Sequence, residues 1–588
     1  MDNLKRSLCA LVALLLIAPA LLAQEIRLEE RLPSKTLFYM LWRGSANHDA
    51  VRATNPLLRM ADDPQLLDFQ KKMMTEIMRA VLPGGETTSA WQEMLTKPTG
   101  AMAFGFLEGD AKAASVLEGA SKFAARMFVV YHNVSKFDYD LYWKQIESAA
   151  GTAKASVETV EIAGRKVKKL TIEKSEFYQV GVGEYYFQAG TPEILNDLIA
   201  RMEGNTAPAD SIVQNAFWQS SRSQLPGATS VEFFFRFPKV EDFGTLLPIP
   251  PGSQSAQFDL PAFLKALHLD RFHGIVGSVN FEAAATRTRI SLLGDTSPGS
   301  LFDVFQSGAA NFRSVAAAPS DAQYCAAYQL DLRKTYEFVR AVAEAAAPGG
   351  QGAAMVEMAE TGISAQLGMS IGDALKMFTG EFGIYPVKSS PESDDFVVVA
   401  GVENPEGVLK LLRLVLASDL SSEDVQGTTT YLTYATDYTD PKTQARRKQF
   451  RTIGVAPSAV VVAPRKTMVR EALARMTAPS PAASLVTQPS FVSARGRLPQ
   501  QLSAISFFDF SKMEWEKLAA EGSAAMQEAE KKAVEQQQKN PSGPKPPDIK
   551  ISALIKDFPL ALLKQYLHTT FGGWWKDARG MHNEVILD

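Results

Sequence analysis

Apolar residues in this chain fall mostly into short runs with Gly, Pro or Asn at the joints, the pattern of strands and turns. "KTLFYMLW" (35–42) and "AQYCAAYQLDL" (322–332) each predict an opening strand. β-rich runs follow the first at "RKVKKLTIE" (165–173), "FYQVGVG" (177–183) and "EYYFQAG" (184–190). They follow the second at "TTTYLTYA" (428–435), "FRTIGVA" (450–456) and "AVVVAP" (459–464). Helical periodicity marks "KFDYDLYWKQIES" (136–148) and "NPEGVLKLLRLVL" (404–416). Thr191-Pro192 predicts a helix start, with a counterpart helix over Lys466 to Met476. Closing strands are "GIVGSVNF" (274–281) with "TRTRISLL" (286–293), and "GWWKDA" (573–578) with "HNEVIL" (582–587).

These elements recur in one order. "LIARM" (198–202) lies on "ALARM" (472–476) at a shift of 274, which also sets Phe217 on Phe491. "RFPKVE" (236–241) meets "DFSKME" (509–514) at 273, and "TGAMAFGF" (99–106) meets "TGEFGIYP" (379–386) at 280. "RMFVVYHN" (126–133) corresponds to "DFVVVAGV" (395–402), and "LHLDRFHG" (267–274) to "LHTTFGG" (567–573) at 300. Collinear matches of this kind are the mark of an internal repeat. The expected fold is α+β: two tandem related modules, 24–297 and 298–588, each a largely antiparallel sheet with helices packed on one face. The second carries a helical, Pro-rich insertion at 514–548, read as a solvated extension.

The first 23 residues change the picture of location. Lys5 and Arg6 precede an apolar run from Leu8 to Ala23, and polarity returns at "QEIRLEERL". This is the pattern of a signal peptide with cleavage after Ala23 or Ala20, and the run is short for a spanning helix. Loss of Lys5, Arg6 and Asp2 takes the formal charge from −4 to −5. Cys9 leaves with the leader, so Cys325 stands alone and no internal disulfide forms. A large exported chain without disulfides fits a periplasmic or extracellular bacterial location. The acidic balance gives no footprint for nucleic acid, and no later segment is long enough to form a transmembrane helix.

Candidate chemistry is sparse. The sequence has no G-x-S-x-G, H-E-x-x-H, Walker loop or C-x-x-C. No catalytic, cofactor-binding or metal-ligating residue stands out. His268 and His273 are five apart, off the i, i+4 spacing; His268 and His568 are read as helix-end residues. The pairs Asp62-Asp63 and Asp394-Asp395 are read as turn and cap residues. The basic runs "RKVKK" (165–169) and "RRKQFR" (446–451) sit on different elements, the first in a hairpin with Glu158 and Glu161 across from lysines. Cys325 is read as a buried apolar residue. In "FTGEFGIYP" (378–386), Gly380 is a helix-to-strand turn and Glu381 has Ala101 as its counterpart.

The segment Leu32-Pro33-Ser34-Lys35-Thr36, with Asp63-Pro64 and the stretches "SIVQNAF" (211–217) and "SLVTQPSF" (484–491), resembles an uncharacterised group of bacterial exported proteins, the domain-of-unknown-function family numbered 3352. The resemblance implies export and supplies no reaction or site residue. The expected function is non-enzymatic: binding, envelope assembly or scaffolding. The alternatives are an extracytoplasmic hydrolase with catalytic residues scattered along the chain, and a chaperone-like module that recruits partners through 514–548.

Overall fold

The computed structural model describes residues 27–44, 48–81, 100–109, 121–132, 147, 155–172, 175–204, 209–226, 229–238, 260–306, 312–346, 351–387, 395–439, 446–477, 483–539 and 557–588. The expected leader, nearly all of the helix expected at 136–148, Asp394 and the Pro-rich end of the expected insertion lie outside them.

Ten strands come first: β1 (Thr36–Trp42), β2 (Met102–Leu107), β3 (Met127–His132), β4 (Ala155–Ile162), β5 (Arg165–Ile172), β6 (Ser175–Val182), β7 (Tyr185–Ala189), β8 (Val231–Arg236), β9 (Phe272–Phe281) and β10 (Thr286–Gly294). Ten more follow: β11 (Tyr324–Gln329), β12 (Phe378–Val387), β13 (Asp395–Val402), β14 (Leu420–Gln426), β15 (Thr429–Thr439), β16 (Arg446–Ala456), β17 (Ala459–Ala463), β18 (Ala504–Asp509), β19 (Thr569–Asp577) and β20 (Gly580–Leu587). The first ten lie side by side in the order β4-β5-β6-β7-β3-β2-β1-β8-β9-β10. The last ten repeat it as β14-β15-β16-β17-β13-β12-β11-β18-β19-β20. All pairs are antiparallel, and β10 pairs with β20, so one continuous sheet holds all twenty strands. The α+β class is as the pattern predicts.

The registers repeat as well as the order. Met102 faces Tyr131 as Phe382 faces Ala400, and Val129 faces Gln188 as Val398 faces Val462. Val231 faces Val279 as Ala504 faces Trp574. These pairs carry the sequence shifts 280, 269, 274 and 273. The far end differs from the sequence match: Phe281 faces Thr286 as Lys576 faces Met581, a shift of 295 in place of 300. The turn between the helix Leu260–Ala266 and β9, residues 267–271, is longer than its counterpart, residues 567–568, which displaced the match.

One face of the sheet carries the two largest cores. In the first half Tyr39, Phe128, Val130 and Phe187 pack with the helices Pro192–Glu203 and Ala216–Arg222. In the second, Val397, Val399, Val461 and Phe507 pack with Lys466–Thr477 and Pro489–Gly496. Local chemistry fixes these helices. Thr191 accepts from the Ile194 amide ahead of Pro192, and Asn215 accepts from the Phe217 and Trp218 amides.

The other face is not bare, so the expectation of helices on one face is corrected. Helix Pro405–Val415, capped by Asn404, packs there through Val408 against Leu432, Ile453, Val455 and Val460. Its strands are apolar at successive positions, and a strand buried on both faces loses the alternation that marks a single buried face. Helix contacts also cross between halves. Helix Leu260–Ala266 packs on helix Leu332–Ala346. Helix Leu560–Tyr566 packs on Pro56–Ala61, where the Tyr566 hydroxyl donates to Asp63 at 3.1 Å and Arg59 lies over its ring.

Candidate functional site

Opposite residues of an antiparallel pair point to one side of the sheet, so the registers define what the second face displays. Across the second half one row reads Trp574, Ala504, Tyr328, Phe382 and Ala400. The next holds Gly572, Ser506, Ala326, Ile384 and Val398, and the third holds Phe508 and Tyr324, with Pro386 opposite Phe396. Beyond Trp574 the first row continues through Asn583 to Ile290. No formal charge stands in these rows. Ala326, Ala504 and Asn583 are buried, but Tyr328 and Phe396 are 41% exposed, Val398 38%, Trp574 37% and Ile290 36%. From β10 to β13 the strip crosses seven strands, roughly 30 Å at about 4.8 Å per strand.

The matching positions in the first half are more covered. Phe38, Met102, Phe104 and Val129 form a cluster, with Met102, Phe104 and Val129 buried. Phe123, from the connection between β2 and β3, packs on Phe106 with ring centroids 5.0 Å apart. That connection runs over residues 108–126, whereas its counterpart between β12 and β13 runs over 388–394. On the same side His48 packs tilted against Trp42 and edge-on against Phe281. The same sheet surface is therefore more covered in the first half than in the second. Contiguous exposed apolar surface is the mark of an interaction site.

The residues singled out in the sequence do not converge there. Glu381 points to the core face and accepts from the Ser314 amide at 2.6 Å, anchoring the short helix Arg313–Ala316. Gly380 has φ +84 but lies inside β12 at a register shift, so it makes a bulge and not a helix-to-strand turn; a Cβ there would strike the Leu330 carbonyl. His268 follows a helix end in the left-handed region and stacks on Phe338. Burial, with Arg271 nearby, lowers its pKa, so desolvation dominates any helix-end effect. His273 meets the Phe217 ring edge-on, and the His568 carbonyl accepts from the Phe510 amide. Asp62 holds Arg52 in a two-bond fork, Asp63 accepts from the Gln65 amide, and Asp395 pairs with Arg451. Glu158 faces Lys169 and Glu161 faces Lys166 across the β4–β5 hairpin, while Arg446–Arg451 lie in β16. Cys325 is buried and its thiol is pushed up to about 12 by desolvation. In the insertion, helix Trp515–Lys539 is largely exposed and carries (i, i+4) ion pairs.

The densest titratable cluster lies elsewhere and escaped the sequence reading. Glu232, fully buried, accepts from the Tyr39 hydroxyl at 2.6 Å and pairs with Arg222 at 3.0 Å. Glu29 pairs with Arg43 at 2.6 Å, and Trp218 donates to Tyr39 at 2.9 Å. Desolvation raises the Glu29 carboxyl against the pull of Arg43 and pushes the Tyr39 phenol well up. Two acids meet two guanidinium groups inside the core, which makes the cluster a closed structural network. In the second half Cys325 and Ile505 stand at the positions of Tyr39 and Glu232. No group of three or more metal-ligating side chains is present among the described residues.

No family model matches the chain, and no curated protein matches it. Solved structures of TP0453 in crystal forms IV, I and III are similar at 7%, 8% and 6% identity. They cover 46–47% of this chain and 80–81% of their own, each with a TM-score of 0.22, and a likeness that slight carries no argument.

Proposed function

We propose that the chain is an exported, non-enzymatic binding protein made of two related α+β units, 24–297 and 298–588. The second unit offers its open sheet face to an apolar partner. One observation carries the reading: Trp574, Tyr328, Phe396 and Val398 are more than a third exposed, whereas of their first-half counterparts Val129 is buried and Val279, Trp42 and Met127 are partly buried. Each such side chain has on the order of 1 kcal/mol of further burial energy to give a partner that covers it. The absence of charge in the rows fits an uncharged, apolar surface or chain. A leader at 1–23, a single remaining cysteine and the resemblance to exported proteins of the family numbered 3352 support a place in the cell envelope or outside it. No helix among the described residues is long and apolar enough to cross a membrane.

Trp574 reports on its own strip. Titrating the mature protein with a dibrominated stearate should quench tryptophan emission saturably, and Trp574→Phe should remove most of the quenched signal. Phe396→Lys with Val398→Lys should abolish saturation. Quenching that survives both sets of substitutions, or unsaturable quenching in the parent, would sink the reading. Affinity purification from the native envelope then identifies the partner, and turnover of ester or peptide substrates there would favour the hydrolase.

A further inference from the structure

The β10–β20 seam has an internal two-fold arrangement. The hairpin registers make Thr286 the counterpart of Met581 and Leu292 the counterpart of Leu587. At the seam Thr286 faces Leu587 and Leu292 faces Met581, so counterparts pair crosswise. At the centre Arg289 faces Glu584, which is its own counterpart. A symmetric seam between identical strands would put the same residue there twice. Here the two copies carry opposite charges.

The charges are engaged and largely out of water. Glu584 is 1% exposed and accepts from Arg289 Nε at 2.8 Å and from the Arg287 guanidinium. Arg289 also donates to the Gln224 carbonyl at 3.2 Å and lies over the Trp575 ring. Pairing β10 with another β10 would set Arg289 against Arg289, with both Arg287 side chains alongside. Pairing β20 with another β20 would bury two facing carboxylates. Like charges directly opposite on a sheet destabilise, and a buried unpaired charge costs far more.

We infer that the Arg289–Glu584 pair is a charge code for this seam: it admits β20 of the same chain to the β10 edge and rejects both a second β10 and a β20–β20 seam. The axial pair supplies the specificity by making both like-with-like seams unfavourable. In the full-length mature chain, Arg289→Glu and Glu584→Arg should each lower the urea midpoint by on the order of 1 M. Each should also speed amide exchange in β10 and β20. The swapped double variant should recover most of both losses. The two single variants offer a trans test. When they are unfolded, mixed and refolded, exchange of halves makes every seam complementary, so a heterodimer should form by light scattering. Neither variant refolded alone should give a dimer. A double variant no more stable than the weaker single one would overturn the inference, as would a mixture without the heterodimer.

Discussion

Glu232 serves four side chains at once: the Tyr39 and Thr229 hydroxyls donate to it, and Arg222 and Arg43 flank it. Glu232→Ala would take the carboxylate from Arg222 and from two hydroxyl donors, while Arg43 keeps Glu29, and should cost about 3 kcal/mol in urea unfolding. A loss under about 1 kcal/mol would mean the network is relaxed by water. Its members run from Glu29 to Glu232 in the sequence, and no spacing rule joins them; only the pairing of β1 with β8 does. Isolated residues with local partners were legible, as Glu158 and Glu161 opposite lysines show. His132 gives a pH signature. Burial lowers its pKa below 6.5, against the weaker pull of Glu184, which lies mostly in water. The folded state then binds fewer protons than the unfolded state just below pH 6.5. Stability from this group is complete above that value and is lost as the pH falls through the folded pKa. His132→Leu should flatten the fall in unfolding free energy between about pH 7 and 5; an unchanged slope would assign it to other groups, His268 among them.

At the scale of elements, strands and turns were written plainly because they depend on near neighbours. β4 and β5 are joined by Ala163-Gly164, with φ 49 and 74, both positive as a type I′ turn requires. Alanine pays a steric penalty there that asparagine largely avoids. Ala163→Asn should therefore stabilise by about 0.5–1 kcal/mol, seen as a higher urea midpoint at unchanged slope. A lower midpoint would show that the turn does not hold this geometry in solution. What the pattern could not assign was the outward face of β11, β12 and β13. Tyr328, Phe396 and Val398 are as apolar as their buried neighbours Ala327, Val397 and Val399, so hydrophobicity alone marks every position as core. The glycine of "FTGEFGIYP" has the positive φ that glycine favours, but it sits in a bulge and not at a helix-to-strand turn, because a bulge is set by the partner strands.

Across the whole molecule the same ladder was used twice with opposite finish. The sequence shifts of 280, 269, 274 and 273 coincide with strand registers because they follow apolar positions that the sheet needs. The seam at β10 and β20 left no such trace, since a strand edge carries no period. The change of shift from 280 to 269 records where the halves part: the first keeps a long connection, 108–126, and the second a short one, 388–394. Phe123 in the long connection seats on Phe106, whose counterpart on the open side is Pro386, beside Phe396. If the short connection is what leaves the strip open, grafting residues 108–126 in place of 388–394 should close it. The chimera should retain its far-UV spectrum and lose affinity for an apolar dye such as ANS several-fold, with Trp574 emission little changed because that residue lies in β19, three strands from β12. Full dye binding in a folded chimera would mean that the strip is kept open by something other than the length of this loop.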